Sequence, residues 1–211
     1  MTSGQGRNYN QAVTRFFSFA APAYDLPLVQ QWVYRPAHDE VIAVLRAHGC
    51  RKVADIACGT GILADRIERE LGPEQVFGVD MSEGMLAKAK ARSAVVTWLR
   101  GPAESLPFGD GALDAVVTTS AFHFFDQPAT LREFHRVLAP GGVAAVATIS
   151  PRQHLALTRF IDTERAPAHN PTADEMRELF TGAGFTLIDQ HRVRRPAWTQ
   201  LMSDLITVGM V

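Results

Sequence analysis

The chain has 211 residues, of which 46% are hydrophobic, 20% charged and 9% aromatic. This composition is typical of a globular protein and excludes a disordered or disulfide-stapled one. The 21 basic and 22 acidic residues give a formal net charge of −1, so no overall positive field attracts nucleic acid or an anionic membrane. The sequence lacks C-x-x-C and H-E-x-x-H motifs, which argues against a metal site. Without a signal-peptide core or an apolar run approaching roughly 18 residues, we expect a cytoplasmic protein.

Helices and strands are predicted to alternate along the chain. Pro36 and Gly49 mark the two ends of the first helix, because proline favours the first helical turn and glycine the residue after the last. The strands that follow are apolar throughout, as expected when helices cover both faces of a parallel sheet. Strands are predicted at residues 52–57, 75–80, 95–99, 113–119, 143–149, 185–193 and 205–211, and further helices around residues 62–67, 85–92, 129–138 and 172–182.

The last two predicted strands lie too close in sequence for a helical crossover, so we expect them to form an antiparallel hairpin. The fold class is therefore α/β, with one doubly wound sheet and no second domain. The basic cluster at residues 191–195 is interpreted as the solvated end of a strand.

A glycine-rich turn follows the first predicted strand. In an open parallel sheet, ligands bind beyond the carboxyl ends of the strands, where the strand order reverses. Gly59, Gly61 and the later Asp80 fit a dinucleotide fingerprint, which leaves a nicotinamide-dependent oxidoreductase as an alternative. Asp55, at the end of the first strand, argues against it, because a pyrophosphate binds backbone N–H groups away from carboxylates. A ligand with a cationic end, such as an ammonium beside a sulfonium, suits Asp55 better.

Four ordered segments carry a resemblance to a known family. They are VADIACGTGIL, VFGVDMSEGML, AESLPFGDGALDAVVTTSAFHFF and LREFHRVLAPGG. Their succession resembles that of the class I S-adenosylmethionine-dependent methyltransferases, in the small-molecule branch that includes the ubiquinone and menaquinone C-methyltransferases, with a methyltransferase type 11-like domain. The resemblance implies a seven-stranded, mostly parallel, Rossmann-like sheet with a C-terminal antiparallel hairpin, and S-adenosylmethionine as the cofactor.

The resemblance also assigns residues to the cofactor site. Those that would line the methionine end are Asp55, Ala57, Gly59 and Gly61. Asp80 would accept hydrogen bonds from both ribose hydroxyls, Met81 would pack on the adenine, and the backbone N–H of Ala103 would face the adenine edge.

The sequence departs from the family pattern at two positions of this site. Ala57 replaces the first glycine of the turn, and Pro102 replaces the aspartate that usually receives the adenine amino group. Glu104 or a backbone carbonyl would then have to substitute. Otherwise the cofactor binds roughly tenfold to a hundredfold less tightly, because a hydrogen bond to a charged acceptor is lost.

By the same resemblance, residues 1–35 form an aromatic lid segment over the cofactor, and residues 36–211 form the methyltransferase domain. Arg15 and Tyr24 of the lid are expected to contact ligand. His123 follows the fourth strand, where acceptor and methyl donor would meet, and could remove a proton from the acceptor. Its alternative role is that of a wall residue hydrogen-bonded to the backbone.

The leading interpretation is methyl transfer to a small, apolar or phenolic acceptor. Besides the oxidoreductase, a module that binds the cofactor without turnover is the third possibility, motivated by Pro102. The balanced charge argues against a nucleic-acid substrate. The acceptor, the atom that receives the methyl group and the oligomeric state are left open by the sequence.

Overall fold

The computed structural model describes Trp32 and residues 34–150, 169–195 and 204–211. Its helices are α1 (Arg35–His48), α2 (Ile62–Leu71), α3 (Glu83–Arg92), α4 (Gln127–Val137) and α5 (Ala173–Gly182). Its strands are β1 (Lys52–Ile56), β2 (Gln75–Asp80), β3 (Thr97–Arg100), β4 (Leu113–Thr119), β5 (Leu138–Ile149), β6 (Thr186–Arg192) and β7 (Asp204–Met210). A short 3₁₀ helix, Phe122–Phe124, follows β4.

The strands form one seven-stranded sheet in the order β3-β2-β1-β4-β5-β7-β6. Strands β1 to β5 pair in parallel, whereas β7 is antiparallel to both β5 and β6. The predicted α/β class and C-terminal antiparallel hairpin are thus confirmed. The strand order reverses between β1 and β4, and a crevice opens there at the carboxyl ends of the parallel strands.

Local capping explains where several helices begin and end. The hydroxyl of Ser82 accepts a hydrogen bond from the backbone N–H of Met85 at the start of α3. At the start of α5, Thr172 and Glu175 satisfy each other's backbone N–H groups in a capping box. Gly49 ends α1 in the left-handed conformation, with φ of 60°.

The largest differences from the predicted strand boundaries are at the starts of β5 and β3, and the other boundaries differ by at most one residue. Strand β5 begins at Leu138, directly after α4, although the Pro140–Gly142 turn was expected to precede it. The pairing shifts between Leu113 and Ala115 of β4, and this irregularity accommodates the Pro-Gly-Gly stretch within the strand. Strand β3 begins two residues late, because the Ser93 hydroxyl accepts the N–H of Val95 and turns the chain there.

An apolar layer covers each face of the sheet. Helices α1 and α2 cover one face, and α4 and α5 cover the other, so the central strands are buried on both sides. Leu45 and Ile67 are fully buried on the first face, and Phe134 and Phe180 on the second. Among the described helices, none is both long enough and apolar enough to cross a membrane.

The basic cluster at residues 191–195 is not uniformly solvated. Arg195 is only 2% exposed and forms an ion pair with Asp204, itself 5% exposed. Another N–H of the Arg195 guanidinium donates to the carbonyl of Trp32 at 2.9 Å. The interpretation as a solvated strand end is therefore wrong for Arg195, because β7 brings Asp204 beside the end of β6, a contact that local sequence does not reveal.

Substitution Arg195→Met is expected to lower the free energy of unfolding by about 3–5 kcal/mol, because it leaves the Asp204 carboxylate buried without its cation. Chemical denaturation measures this loss. The matched control is Arg177→Met, whose exposed pair with Asp174 is worth about 1 kcal/mol at most. Equal, small losses in both variants would contradict the prediction, and adding Asp204→Leu to Arg195→Met should recover much of the stability.

Candidate functional site

A cavity lies where the strand order reverses. Seven of the predicted site residues line it, namely Asp55, Ala57, Gly59, Asp80, Met81, Ala103 and Glu104. Two others, Gly61 and His123, belong to the described chain but do not line the cavity. The lid residues Arg15 and Tyr24 lie outside the described residues. The structure thus gathers both ends of the predicted cofactor site in one cavity.

Asp55, at the carboxyl end of β1, forms no ion pair with the described residues. It is 2% exposed, and its Oδ2 atom has no hydrogen-bond partner. Burial, followed by the negative charge of Asp80, raises its pKa well above the ordinary value, and the backbone N–H of Ala64 offsets only part of that rise. A buried carboxyl of this kind is stabilised in its ionised form only by a cation that enters the cavity.

Asp80, at the end of β2, holds the glycine turn and faces the cavity. Its Oδ2 atom accepts the N–H of Gly59 at 2.9 Å, and its Oδ1 atom accepts the N–H of Ser82 at 2.7 Å. Burial raises its pKa, while these backbone hydrogen bonds lower it. Because each carboxylate oxygen has a second lone pair, Asp80 can still accept hydrogen bonds from two hydroxyl groups of a ligand.

The turn after β1 is built from left-handed residues. Ala57 and Gly59 both have φ of 56°, and Gly61 has φ of 79°. An alanine rarely adopts this conformation, so Ala57 carries the strain that a glycine would avoid. A Cβ atom on Gly61 would lie 2.4 Å from Cη2 of Trp98. Gly61 therefore serves the backbone conformation and the packing against Trp98, a contact that the sequence motif did not reveal.

Glu104, predicted as a substitute for the acid that is missing at Pro102, lines the cavity. The Oε1 atom of Glu104 accepts the N–H of Asp126 at 3.1 Å. The carbonyl of Pro102 already accepts the N–H of Ser105 at 3.3 Å. Since Glu104 lines the cavity, its second carboxylate oxygen is the acceptor that the site offers to an amino group.

His123, on the 3₁₀ helix, lies behind the cavity wall. Its ring packs on Phe124 with centroids 4.0 Å apart, and its Nδ1 atom is buried without a hydrogen-bond partner. Burial lowers its pKa to about 4. Phe124 and Phe125 line the cavity instead, so this part of the wall is apolar.

Two aromatic side chains at the start of α1 also line the cavity; Tyr34 belongs to the predicted lid segment, whereas His38 was not predicted. Tyr34 and His38 both line the cavity from the start of α1, and their rings lie 6.5 Å apart with an interplanar angle of 28°. The signal in the sequence is their separation of four positions, which places both side chains on one helix face. His38 is 6% exposed.

Comparisons with known proteins agree with this geometry. Residues 53–142 match the family model described as "Methyltransferase domain". An uncharacterized methyltransferase of Mycobacterium bovis is 30% identical over 84% of this chain and 70% of its own length. The chain belongs to the S-adenosylmethionine-dependent methyltransferases.

Two further relatives define how far the likeness extends. The demethylmenaquinone methyltransferase of Thermus thermophilus is 41% identical over 48% of this chain and 48% of its own length. The magnesium protoporphyrin IX methyltransferase of Synechocystis shares the fold of this methyltransferase, with a TM-score of 0.72, 18% identity and coverage of 95% of this chain and 98% of that one. The chain spans about half the length of the first curated relatives that it matches.

We predict that the Asp55 carboxyl, which is placed to bind a ligand, lowers the stability of the unliganded fold. Its pKa is raised in the folded state, so it favours the fold below its unfolded pKa, and that contribution is lost as the pH rises through the folded pKa. Asp55→Asn should therefore reduce the fall in melting temperature between pH 5 and pH 8. Without ligand, the variant should be at least as stable at pH 8 as the unchanged chain.

The control is Asp114→Asn, because the Oδ2 atom of Asp114 accepts the backbone N–H groups of Arg51 and Lys52. This variant should lose stability at both pH values, since it weakens hydrogen bonds that the fold uses. Thermal melts of the two variants make the comparison, and a less stable Asp55→Asn protein at pH 8 would contradict the account of Asp55.

Proposed function

We propose that the protein transfers a methyl group from S-adenosylmethionine to a small, apolar or phenolic acceptor. The observation that carries the proposal is the Asp55 carboxyl, which is buried in the cavity with an unpartnered Oδ2 atom. S-adenosylmethionine has an ammonium and a sulfonium, both of which compensate such a group. Family membership supports the same activity.

The charge of the cavity argues against a dinucleotide. Asp55, Asp80 and Glu104 all line it, and no lysine or arginine does so among the described residues. A diphosphate needs N–H donors or cations and is repelled by neighbouring carboxylates. The nicotinamide-dependent alternative therefore has only the glycine spacing in its favour.

In this proposal the chain binds and orients the reactants. When bound, S-adenosylmethionine supplies a methyl group on sulfonium, which is a good leaving group. Asp55 binds the ammonium, Asp80 accepts the ribose hydroxyls and Met81 packs on the adenine. Alignment of the acceptor with the methyl carbon and exclusion of water then provide most of the acceleration, with a potential contribution of about 7–11 kcal/mol from orientation.

The acceptor is proposed to be apolar because of the wall that follows β4. Ala121, Phe124 and Phe125 line the cavity there, and aromatic rings favour flat, apolar ligands. A general base is needed only if the acceptor must lose a proton. His123 stays the predicted base for that case, and Arg15 and Tyr24 stay predicted acceptor contacts.

We also propose a cytoplasmic location. Cys50 and Cys58, the two cysteines of the chain, are both free thiols. Unpaired cysteines are the usual state in a reducing compartment.

The first test is isothermal titration of the full chain with S-adenosylmethionine, its demethylated product and NADH. Both sulfur compounds should bind with dissociation constants below the millimolar range, and NADH should not. Asp80→Asn should weaken the binding of the two sulfur compounds roughly tenfold to a hundredfold, because it replaces a charged hydrogen-bond acceptor with a neutral amide. Asp174→Asn, at an exposed position on α5, is the control that should bind normally. Preference for NADH would remove the proposal.

The second test separates an enzyme from a cofactor-binding module. Radiolabelled methyl transfer is measured against a panel of phenols, reduced quinones, fatty acids and polyketides. Transfer to an apolar or phenolic member is the expected result. Tight binding of S-adenosylmethionine with no transfer to any member would favour the module.

A further inference from the structure

His38 is a buried polar side chain in the cavity that the proposed function has not yet used. It lies in the first turn of α1, is 6% exposed, and lines the cavity beside Tyr34. Its imidazole makes no hydrogen bond to the described part of the chain. Because His38 lines the cavity, its imidazole nitrogens can donate to or accept from a ligand atom there.

His38 lies at the end of the cavity that is formed by the first turn of α2. Arg66 of α2 lies close enough to contribute to the lowered pKa of His38. Leu63, one turn before Arg66 on the same helix, lines the cavity. His38 therefore lies near the first turn of α2, whereas Glu104 and the predicted adenine position belong to the segment after β3.

The same end of the cavity is suited to an anion. Helix α2 begins at Ile62, and its N-cap, Gly61, provides no side-chain hydrogen bond to the first turn. Ile62 and Leu63 line the cavity, so the positive end of the helix dipole faces it, although the N–H of Ala64 in the same turn is already directed at Asp55. The unpartnered carboxyl of Asp55 is an independent sign that a ligand binds beside this turn.

An amino-acid group has one charge of each sign, and this end of the cavity has a partner for each. Asp55 matches the ammonium, while the start of α2 and a ring N–H of His38 match the carboxylate. Among the described lining residues there is no lysine or arginine to compete for that carboxylate. Burial, with a smaller contribution from Arg66, lowers the pKa of His38 to about 3, so the ring is neutral and adds no charge beside a sulfonium.

We propose that His38 binds the carboxylate of the cofactor's amino-acid end, donating a hydrogen bond from its neutral imidazole next to the N-terminus of α2. This inference rests on the proposed function, because it assumes that S-adenosylmethionine occupies the cavity. It makes His38 a cofactor-binding residue that fixes the amino-acid end and, through it, the direction of the sulfonium methyl group.

The test compares two ligands that differ only in the carboxylate. S-adenosylhomocysteine and its decarboxylated analogue are titrated into the unchanged chain, His38→Ala, His38→Asn and His48→Ala. His38→Ala should weaken the binding of S-adenosylhomocysteine roughly tenfold to a hundredfold. The dissociation constant of the analogue should change by less than about twofold. His38→Asn, which retains an N–H donor, should recover part of the loss.

Two features keep the result interpretable. His48→Ala changes an exposed histidine on the same helix and should leave both ligands unaffected. The decarboxylated analogue checks folding, because a variant that binds it normally has an intact cavity. If His38→Ala does not fold, His38→Asn and His38→Gln are titrated with the same two ligands. The variant whose amide N–H does not reach the carboxylate should bind S-adenosylhomocysteine more weakly and bind the decarboxylated analogue normally.

Several results would overturn the inference. Equal losses for the two ligands would mean that His38 only supports the fold of the cavity. Unchanged binding of both ligands with a raised KM for an acceptor would assign His38 to the acceptor instead. In each case the unchanged chain still binds S-adenosylhomocysteine, so the proposed function survives. No binding of that compound to the unchanged chain would overturn the proposed function and this inference together.

Discussion

A carboxyl group that is almost completely removed from water, with no cation beside it, opposes folding in its ionised form. Asp55 is such a group, and the second carboxyl of the cavity, Asp80, increases the opposition. The strand that carries Asp55 is the central β1, paired in parallel on both sides. The fold therefore holds this carboxyl group at the point where the strand order reverses, and in the proposed function the ammonium of the cofactor compensates it there.

The residues around Asp55 serve the turn and the ligand at the same time. Asp80 binds the N–H groups of Gly59 and Ser82 and so connects the glycine turn to the start of α3. These backbone hydrogen bonds leave room for the predicted ligand contacts, because a carboxylate has four acceptor positions. Gly61, by contrast, has no place for a side chain against Trp98.

The start of α1 is held in place from the opposite end of the chain. Arg195, paired with Asp204, donates a hydrogen bond to the carbonyl of Trp32, two residues before Tyr34. Tyr34 and His38 then enter the cavity from this fixed point. The C-terminal hairpin, which contributes no side chain to the cavity lining among the described residues, thus supports the geometry of the site indirectly.

The sequence by itself predicted the order of the helices and strands and seven of the residues that line the cavity. Pro36 and Gly49 predicted the limits of α1, and the motif around Asp55 together with Asp80 predicted which strand ends form the cavity, because helix capping and strand-end motifs depend on neighbours in sequence. Only the tertiary structure decided that the Arg195 side chain is buried, that His123 does not line the cavity and that His38 does. These outcomes depend on which elements pack together, and a local pattern records neither the pairing of β6 with β7, which places Asp204 beside Arg195, nor the contact of Arg195 with Trp32 at the other end of the chain.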